Sequence, residues 1–429
     1  MNSTHLPRLA TLLPVIALWL LSPRGSSPAF AGDWPQILGP QRDGTATAEQ
    51  LPTTWPAAGP AVVWRTPVGE GYAGPAVVGN RVVVFHRVAE GERLEAFERD
   101  SGKSLWRQDF PATYRGGYDP NGDNGPRCVP TIAENAVVAY GAAGELHCVS
   151  LTDGKVRWSR SIAAEFRADE GYFGAGSSPV VVDNRVLVNA GGRPKAGIVA
   201  LALDTGKTVW QTGEDDASYS APTVVAREKQ SIAIFVTRLH CVAVDPASGK
   251  ELFRFPFGKR GPTVNAATPL VVDGQLFLTA SYGIGAVLRD WKGAAPVELW
   301  ANDDTMSSQY STPVAYQGYL YGTHGREDIG QAEFRCIEAK SGKVAWSEPG
   351  FGVANAIRAQ DKLVIVATDG RMLLAAASPQ SFRKLGEGSV GRVSVRALPA
   401  LSAGKLYLRT NRRGGSGGEL ICLDVSAAK

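Results

Sequence analysis

The sequence predicts an all-β fold, an eight-bladed β-propeller of four-stranded antiparallel blades closed by an N-terminal strand, and three observations carry the prediction. First, the block Leu151-Thr152-Asp153-Gly154-Lys155-Val156-Arg157-Trp158 recurs along the chain, with close copies ending in Trp106, Trp210 and Trp346 and weaker ones ending in Phe253, Trp300 and Leu385. Counted from Trp64, these aromatic positions lie about 39 to 52 residues apart, the period at which propeller blades repeat. Second, prolines at 75, 130, 179, 222, 269, 313 and 399 keep step roughly 30 residues ahead, with Ala356 in the place of the missing one. Third, each unit carries short β-branched runs separated by turn residues.

The third copy shows the unit best. Pro179 opens the strand Val180-Val181-Val182, and Asp183-Asn184 supplies side chains that tolerate left-handed backbone, as a two-residue hairpin requires. Arg185 to Val188 returns, Gly197 to Leu203 forms a third strand, and Asp204-Thr205-Gly206-Lys207 turns into a fourth strand at Thr208 to Gln211. Such a sheet cannot bury both faces alone. Radial stacking solves this, with each tryptophan of an outer strand docking on the neighbouring blade. Trp64, Trp106, Trp158, Trp210, Trp300 and Trp346 are therefore read as structural docking residues.

The Gly-Lys-x-x-Trp repeats, with Ser, Thr or Ala before the strand-opening prolines 179, 222, 269 and 313, resemble the PQQ-like (quinoprotein-type) β-propeller repeat over about residues 61 to 424. That family includes quinoprotein alcohol dehydrogenases and a non-enzymatic propeller of the outer-membrane protein assembly machinery. The opening Trp34-Pro35-Gln36-Ile37-Leu38-Gly39-Pro40-Gln41-Arg42-Asp43-Gly44, with the later Gly125-Pro126-Arg127, resembles secreted bacterial proteins of the same group.

Residues 1–31 read as an export signal. Arg8 precedes an apolar run from Leu9 to Leu21, and Ala29-Phe30-Ala31 has the small-x-small pattern that places cleavage before Gly32. The run is too short for a comfortable membrane span, and the first cysteine, Cys128, comes far too late for an acylated N-terminus. The late cysteine is one departure from the assembly-machinery propeller. With 49 glycines, 27 prolines and 44% hydrophobic residues, the composition suits a large turn-rich β domain. Without Arg8 and Arg24 there are 43 basic against 41 acidic residues, a balance that argues against a nucleic-acid surface.

Residues 32–60 are read as an arm laid on a propeller of residues 61–429. Ala61-Val62-Val63-Trp64-Arg65 is a fourth strand with no blade before it, while the last unit, ending at Leu423-Asp424, lacks one. Pairing the two closes the ring and removes exposed edges.

Four of the five cysteines fall on blades two, four, six and eight, too far apart to meet the roughly 7 Å Cα limit of a disulfide, and Cys128 lies two strands from Cys148, roughly 9.6 Å away. Buried free thiols are expected. His86, His147, His240 and His324 lack ligand spacing and read as strand residues. The loop from Asp119 to Gly125 begins like a calcium loop, but Asn124 stands where glycine belongs and Pro130 where the bidentate Glu belongs. A solvated turn and no metal are expected there.

The resemblance implies, for an enzyme of this family, a quinone (PQQ) held in the propeller funnel between a tryptophan and a vicinal disulfide, beside calcium and an aspartate base. This chain has no Cys-Cys pair and no long blade insertions, so no catalytic residue is carried over and no cofactor is expected. The mouth of the ring offers a different site. Three residues before each strand-opening position stand Tyr72, Arg127, Gly176, Tyr219, Ala266, Tyr310, Val353 and Arg396. Equivalent units place them around one end of the axis, and tyrosine and arginine are what binding surfaces enrich. Tyr72, Arg127, Tyr219, Tyr310 and Arg396 are the candidate ligand or partner contacts. The expected function is that of an exported, monomeric, non-enzymatic scaffold binding an envelope protein or small ligand. The alternative is a PQQ- and calcium-dependent quinoprotein oxidoreductase similar to alcohol or polyvinyl-alcohol dehydrogenases.

Overall fold

The computed structural model describes residues 1, 32–114, 116, 123–227, 230–412 and 417–427. The export signal expected over 1–31 falls, but for Met1, outside the described residues, as do positions 119–122 of the acidic loop.

Eight four-stranded antiparallel sheets form the molecule. Blades 1 to 7 span residues 76–111, 131–161, 180–212, 223–256, 270–302, 314–348 and 354–389, each pairing in sequence order. Blade 8 takes its three inner strands from residues 400–424 and its outer strand from Ala61–Val68. Trp64 faces Cys422 across this seam, so the two ends of the repeat array close the ring as expected. A single short helix, Ile162–Phe166, lies between blades 2 and 3 among the described residues.

Local chemistry explains the repeated unit. In blade 3, Asp183 and Asn184 take φ of 47° and 58°, the left-handed pair of a tight hairpin. Third and fourth strands slip register beside each tryptophan: Ala200 faces Trp210, whereas Leu201 faces Thr208. The bulge left by the intervening residue adds local twist. Each indole then reaches the next blade. Nε1 of Trp64, Trp106, Trp158, Trp210, Trp300 and Trp346 donates to the carbonyls of Arg99, Leu151, Leu203, Pro246, Ala339 and Ser378, all within 2.8–3.0 Å.

The glycine of the recurring turn has two roles. At φ +67° Gly206 closes its turn, and a Cβ there would lie 2.6 Å from Cδ2 of Trp158. The bare backbone is the seat for the preceding blade's ring. Cores accordingly lie between blades rather than within them: Val138 and Cys148 of blade 2 share one with Val186 and Val199 of blade 3.

Two copies depart from the pattern. In blade 4 Phe253 stands for the tryptophan and meets Trp291, from blade 5's turn, edge-on at 5.1 Å. In blade 7 the expected aromatic place at Leu385 is off by one. Gly386 faces Leu374, and Leu385 is the bulge residue. A Cβ on Gly386 would lie 2.7 Å from Cβ of Trp55, so a tryptophan from the N-terminal arm covers the place that the repeat leaves empty.

The arm follows a defined course over the face formed by the first-to-second and third-to-fourth turns. Asp33 accepts from Gly79 N at 2.9 Å, Trp34 exchanges backbone bonds with Val77, and Pro35 O accepts from Ile132 N. Farther on, Thr45 bridges Arg358 and both oxygens of Glu49 accept the N–H groups of Ala403 and Gly404. The five cysteines are buried and free, and Cys148, Cys336 and Cys422 sit opposite Trp158, Trp346 and Trp64.

Candidate functional site at the ring mouth

Antiparallel blades put the second-to-third turns and the blade-to-blade connections on the face opposite the arm. The five candidate contacts all lie there, and all are half-buried. Four come together across blade boundaries. The Arg396 guanidinium lies 4.8 Å from the ring centroid of Tyr72 and 5.3 Å from that of Tyr310. Its Nε is 3.1 Å from Glu327, which also accepts from the Tyr310 hydroxyl at 2.8 Å. Arg127 lies 5.6 Å from Tyr72 and 5.5 Å from Tyr114, and it donates to the carbonyls of Gly125 and Asp123. Tyr72 is thus set between two guanidinium groups.

The remaining candidate, Tyr219, turns to the other flank. Its ring occupies the space that a side chain on Gly176 would need, and its hydroxyl accepts from Phe173 N at 2.8 Å. Ala266 and Val353 offer no polar group at their places, and Val353 is buried.

Burial and neighbouring charges act on Tyr310 and Arg396. Burial holds the Tyr310 phenol protonated, well above its ordinary value. Burial alone would lower Arg396, but the neighbouring Tyr310, Glu327 and Tyr72 outweigh it and the group is more basic than usual. Asp123, expected in a solvated turn, is instead buried, and its carboxylate accepts from Gly71 N, Gly125 N and Asn411 Nδ2. It has three donors and a structural post.

Periodicity did not find Tyr114, Glu327 or Arg42. Arg42 is the most consequential of them. Its side chain enters the channel from the arm side and is 2% exposed. Nη1 donates to Pro222 O at 2.8 Å and Ser178 O at 3.4 Å, Nη2 to Pro179 O and to Thr131 Oγ1, and Nε to Gln36 Oε1 at 2.8 Å. These five acceptors are neutral, and burial lowers the guanidinium to about 9. The strand-opening prolines that mark the repeat also present the carbonyls that hold this plug.

These residues do not fit a quinone–calcium centre. The funnel where such a group would stack is filled by Arg396 and Arg127 packed on Tyr72, and Arg42 fills the channel from the other end. Cys128, Cys148, Cys241, Cys336 and Cys422 are all buried and none is adjacent in sequence to another. Among the described residues no three His, Cys, Asp or Glu side chains group as metal ligands.

The fold and mouth define a class: ring-closed repeat propellers whose blades dock through outer-strand indoles. Within it, the chain belongs to the family described as outer membrane protein assembly factor BamB, which matches over residues 90–348. It is 24% identical over 326 residues to the outer membrane protein assembly factor BamB of Burkholderia pseudomallei (strain K96243), covering 65% of this chain and 78% of that protein. Among solved structures it is similar to BamB from Moraxella catarrhalis, with TM-score 0.62, 14% identity, and 86% and 98% of the two chains covered. It is also similar to the quinohemoprotein alcohol dehydrogenase of Comamonas testosteroni, with TM-score 0.67, 15% identity, and 94% and 82% covered. At such identities the structural likeness concerns the fold. Among the described residues no helix is long and apolar enough to cross a membrane.

Proposed function

We propose that the protein is an exported propeller scaffold of the cell envelope that binds an acidic segment of a partner protein at the ring mouth and performs no catalysis. The observation that carries this reading is Tyr72 between Arg127 and Arg396, which presents two planar cations and an aromatic face on one surface. Flat guanidinium groups already stacked on rings lose little freedom when they grip a carboxylate. The family's outer-membrane assembly description supports a protein partner. The apolar run from Leu9 to Leu21 followed by Ala29-Phe30-Ala31 supports export with cleavage before Gly32.

The likeness to a quinohemoprotein dehydrogenase keeps a quinoprotein oxidoreductase as the rival. The filled funnel and the buried, separated thiols count against it.

The test is titration of a labelled Asp/Glu-rich peptide against the wild type and the double variant Arg127→Gln, Arg396→Gln. We expect at least about a tenfold loss of affinity, with binding weakened by salt. Both arginines also hold neighbours, so the variant should melt a few degrees lower. Unchanged peptide affinity would remove the mouth as the binding face.

A further inference from the structure

We propose that the mouth is occupied by the protein's own carboxylate: Glu327, at the tip of blade 6's second-to-third hairpin, sits on Arg396 and Tyr310 in the place of the partner's acidic side chain and is displaced when that partner binds. The inference rests on the mouth reading above and deepens it, naming the group that the partner brings and the residue that regulates its access.

The hairpin delivers Glu327 from outside the cluster. Arg326 pairs with Gln331 across it, and Gly330 N donates to Glu327 O at 3.0 Å, closing the turn Glu327-Asp328-Ile329-Gly330. Its two acids go separate ways. Asp328 accepts from Nε of Arg326 in the same hairpin at 3.0 Å and from Gln309 Nε2 at 3.2 Å, while that guanidinium lies 4.2 Å from the ring centroid of Tyr282. Glu327 reaches instead to the connection between blades 7 and 8, where Oε2 meets Arg396 Nε at 3.1 Å and accepts from the Tyr310 hydroxyl at 2.8 Å. Its backbone N–H is held separately by Gln309 Oε1 at 2.9 Å, so the turn does not depend on where the side chain lies. Ile329, the apolar residue of the turn, is 53% exposed, so the tip anchors no core.

A guanidinium and a phenol converging on one carboxylate oxygen are the donors that an incoming aspartate or glutamate would seek at this mouth. The contact is also open to exchange. Its two side chains are 25% and 34% exposed, and ion pairs that water reaches gain little net, so another carboxylate can replace this one at small cost. Arg396 is stacked on Tyr72 as well, which fixes the guanidinium whichever carboxylate it holds. Binding then draws on the molecules in which Arg396 is free, and the apparent affinity is reduced by that fraction. With Glu327 on Arg396 about 70–90% of the time, the partner binds about three- to tenfold more weakly than the open mouth would allow.

Titration of the labelled Asp/Glu-rich peptide against the wild type, Glu327→Gln, Arg396→Gln and the variant carrying both tests it. Glu327→Gln should bind the peptide about three- to tenfold tighter than the wild type, and the gain should vanish when Arg396 is also replaced, because the two act through one contact. Should Glu327→Gln not fold, Glu327→Ala is read in the same way. Unchanged or weaker binding in the folded variant would overturn the proposal, weaker binding showing that Glu327 positions Arg396 for the partner. A gain that persists without Arg396 would overturn it too, since long-range repulsion of an acidic peptide needs no Arg396. The mouth reading is judged separately by Arg127→Gln with Arg396→Gln: full affinity there sinks both readings, whereas a loss there without a gain in Glu327→Gln sinks only the displacement.

Discussion

Replacing Trp158 by alanine is the sharpest probe of how this ring is held together. The side chain is 8% exposed, and an indole buries roughly 200 Å². At about 25 cal/mol per Å² the burial is worth about 5 kcal/mol against an extended chain. Alanine's own burial and a compact unfolded state reduce this, while the cavity left on Gly206 adds to it, so a net cost of about 4 kcal/mol is expected. The bond to Leu203 O is lost with the ring. Trp210 and Trp300, only half-buried, should cost about 2–3 kcal/mol by the same scaling. Guanidinium unfolding of wild type and variants measures the global cost. A local readout stands directly across the strand pair: Cys148 faces Trp158, and burial pushes its thiol up to about 11. Thiol labelling in native buffer should therefore accelerate at Cys148 in the variant and not at Cys241, two blades away. A cost below about 0.5 kcal/mol, typical of surface sites, with Cys148 still protected, would refute the docking argument.

The arm should show a graded series. Arg42→Ala removes a charged donor from the ring carbonyls and should cost about 2–3 kcal/mol; deleting 32–60 should cost more, and deleting 32–66, which also removes most of the closing strand, should abolish cooperative melting. A 32–66 deletion that melts like the intact chain would rule out both plug and seam as stabilising features. Glu92 provides a pH test. Burial raises its carboxyl to about 7 from 4.5, so its stabilising share is present below about pH 4.5 and is lost as pH climbs through 7. His147, lowered to about 4 by burial, acts in the opposite sense between about pH 4 and 6.5, so the useful quantity is the difference between two proteins. Glu92→Gln should gain on the wild type by up to about 3 kcal/mol between about pH 5 and pH 8, and a pH-independent difference would contradict the buried ionisation.

The repeat was legible because its chemistry is local. Hairpin turns need left-handed residues, outer strands need a docking ring, and both recur in phase, so strands, blade count and seam could all be read from spacing. Blade 7 was misplaced by one residue because its ring comes from Trp55, some 330 residues earlier in the chain. A phase argument looks only inside its own unit. The mouth was half legible: register placed Tyr72, Arg127, Tyr310 and Arg396 on one face, but their contacts depend on Glu327 and Tyr114, which sit off the repeat. Arg42 gave no periodic signal because it belongs to no blade. Its partners are backbone carbonyls, which every sequence has.

The seam of blade 8 also orders events in time. The strand Ala61–Val68 pairs with residues made roughly 350 positions later, an interval of tens of seconds at about 5–20 residues per second. Throughout that wait it is an unmated edge carrying Val62 and Val63, both exposed even in the finished ring. A chain stopped after Ser389 and before Gly418 has seven blades and two raw margins, the geometry that invites strand exchange with another copy. Joining ends so far apart carries a loop-closure cost of about 5 kcal/mol, met once, at the last step. The finished ring then has no free end from which to peel, so its persistence is governed by how rarely this one seam opens.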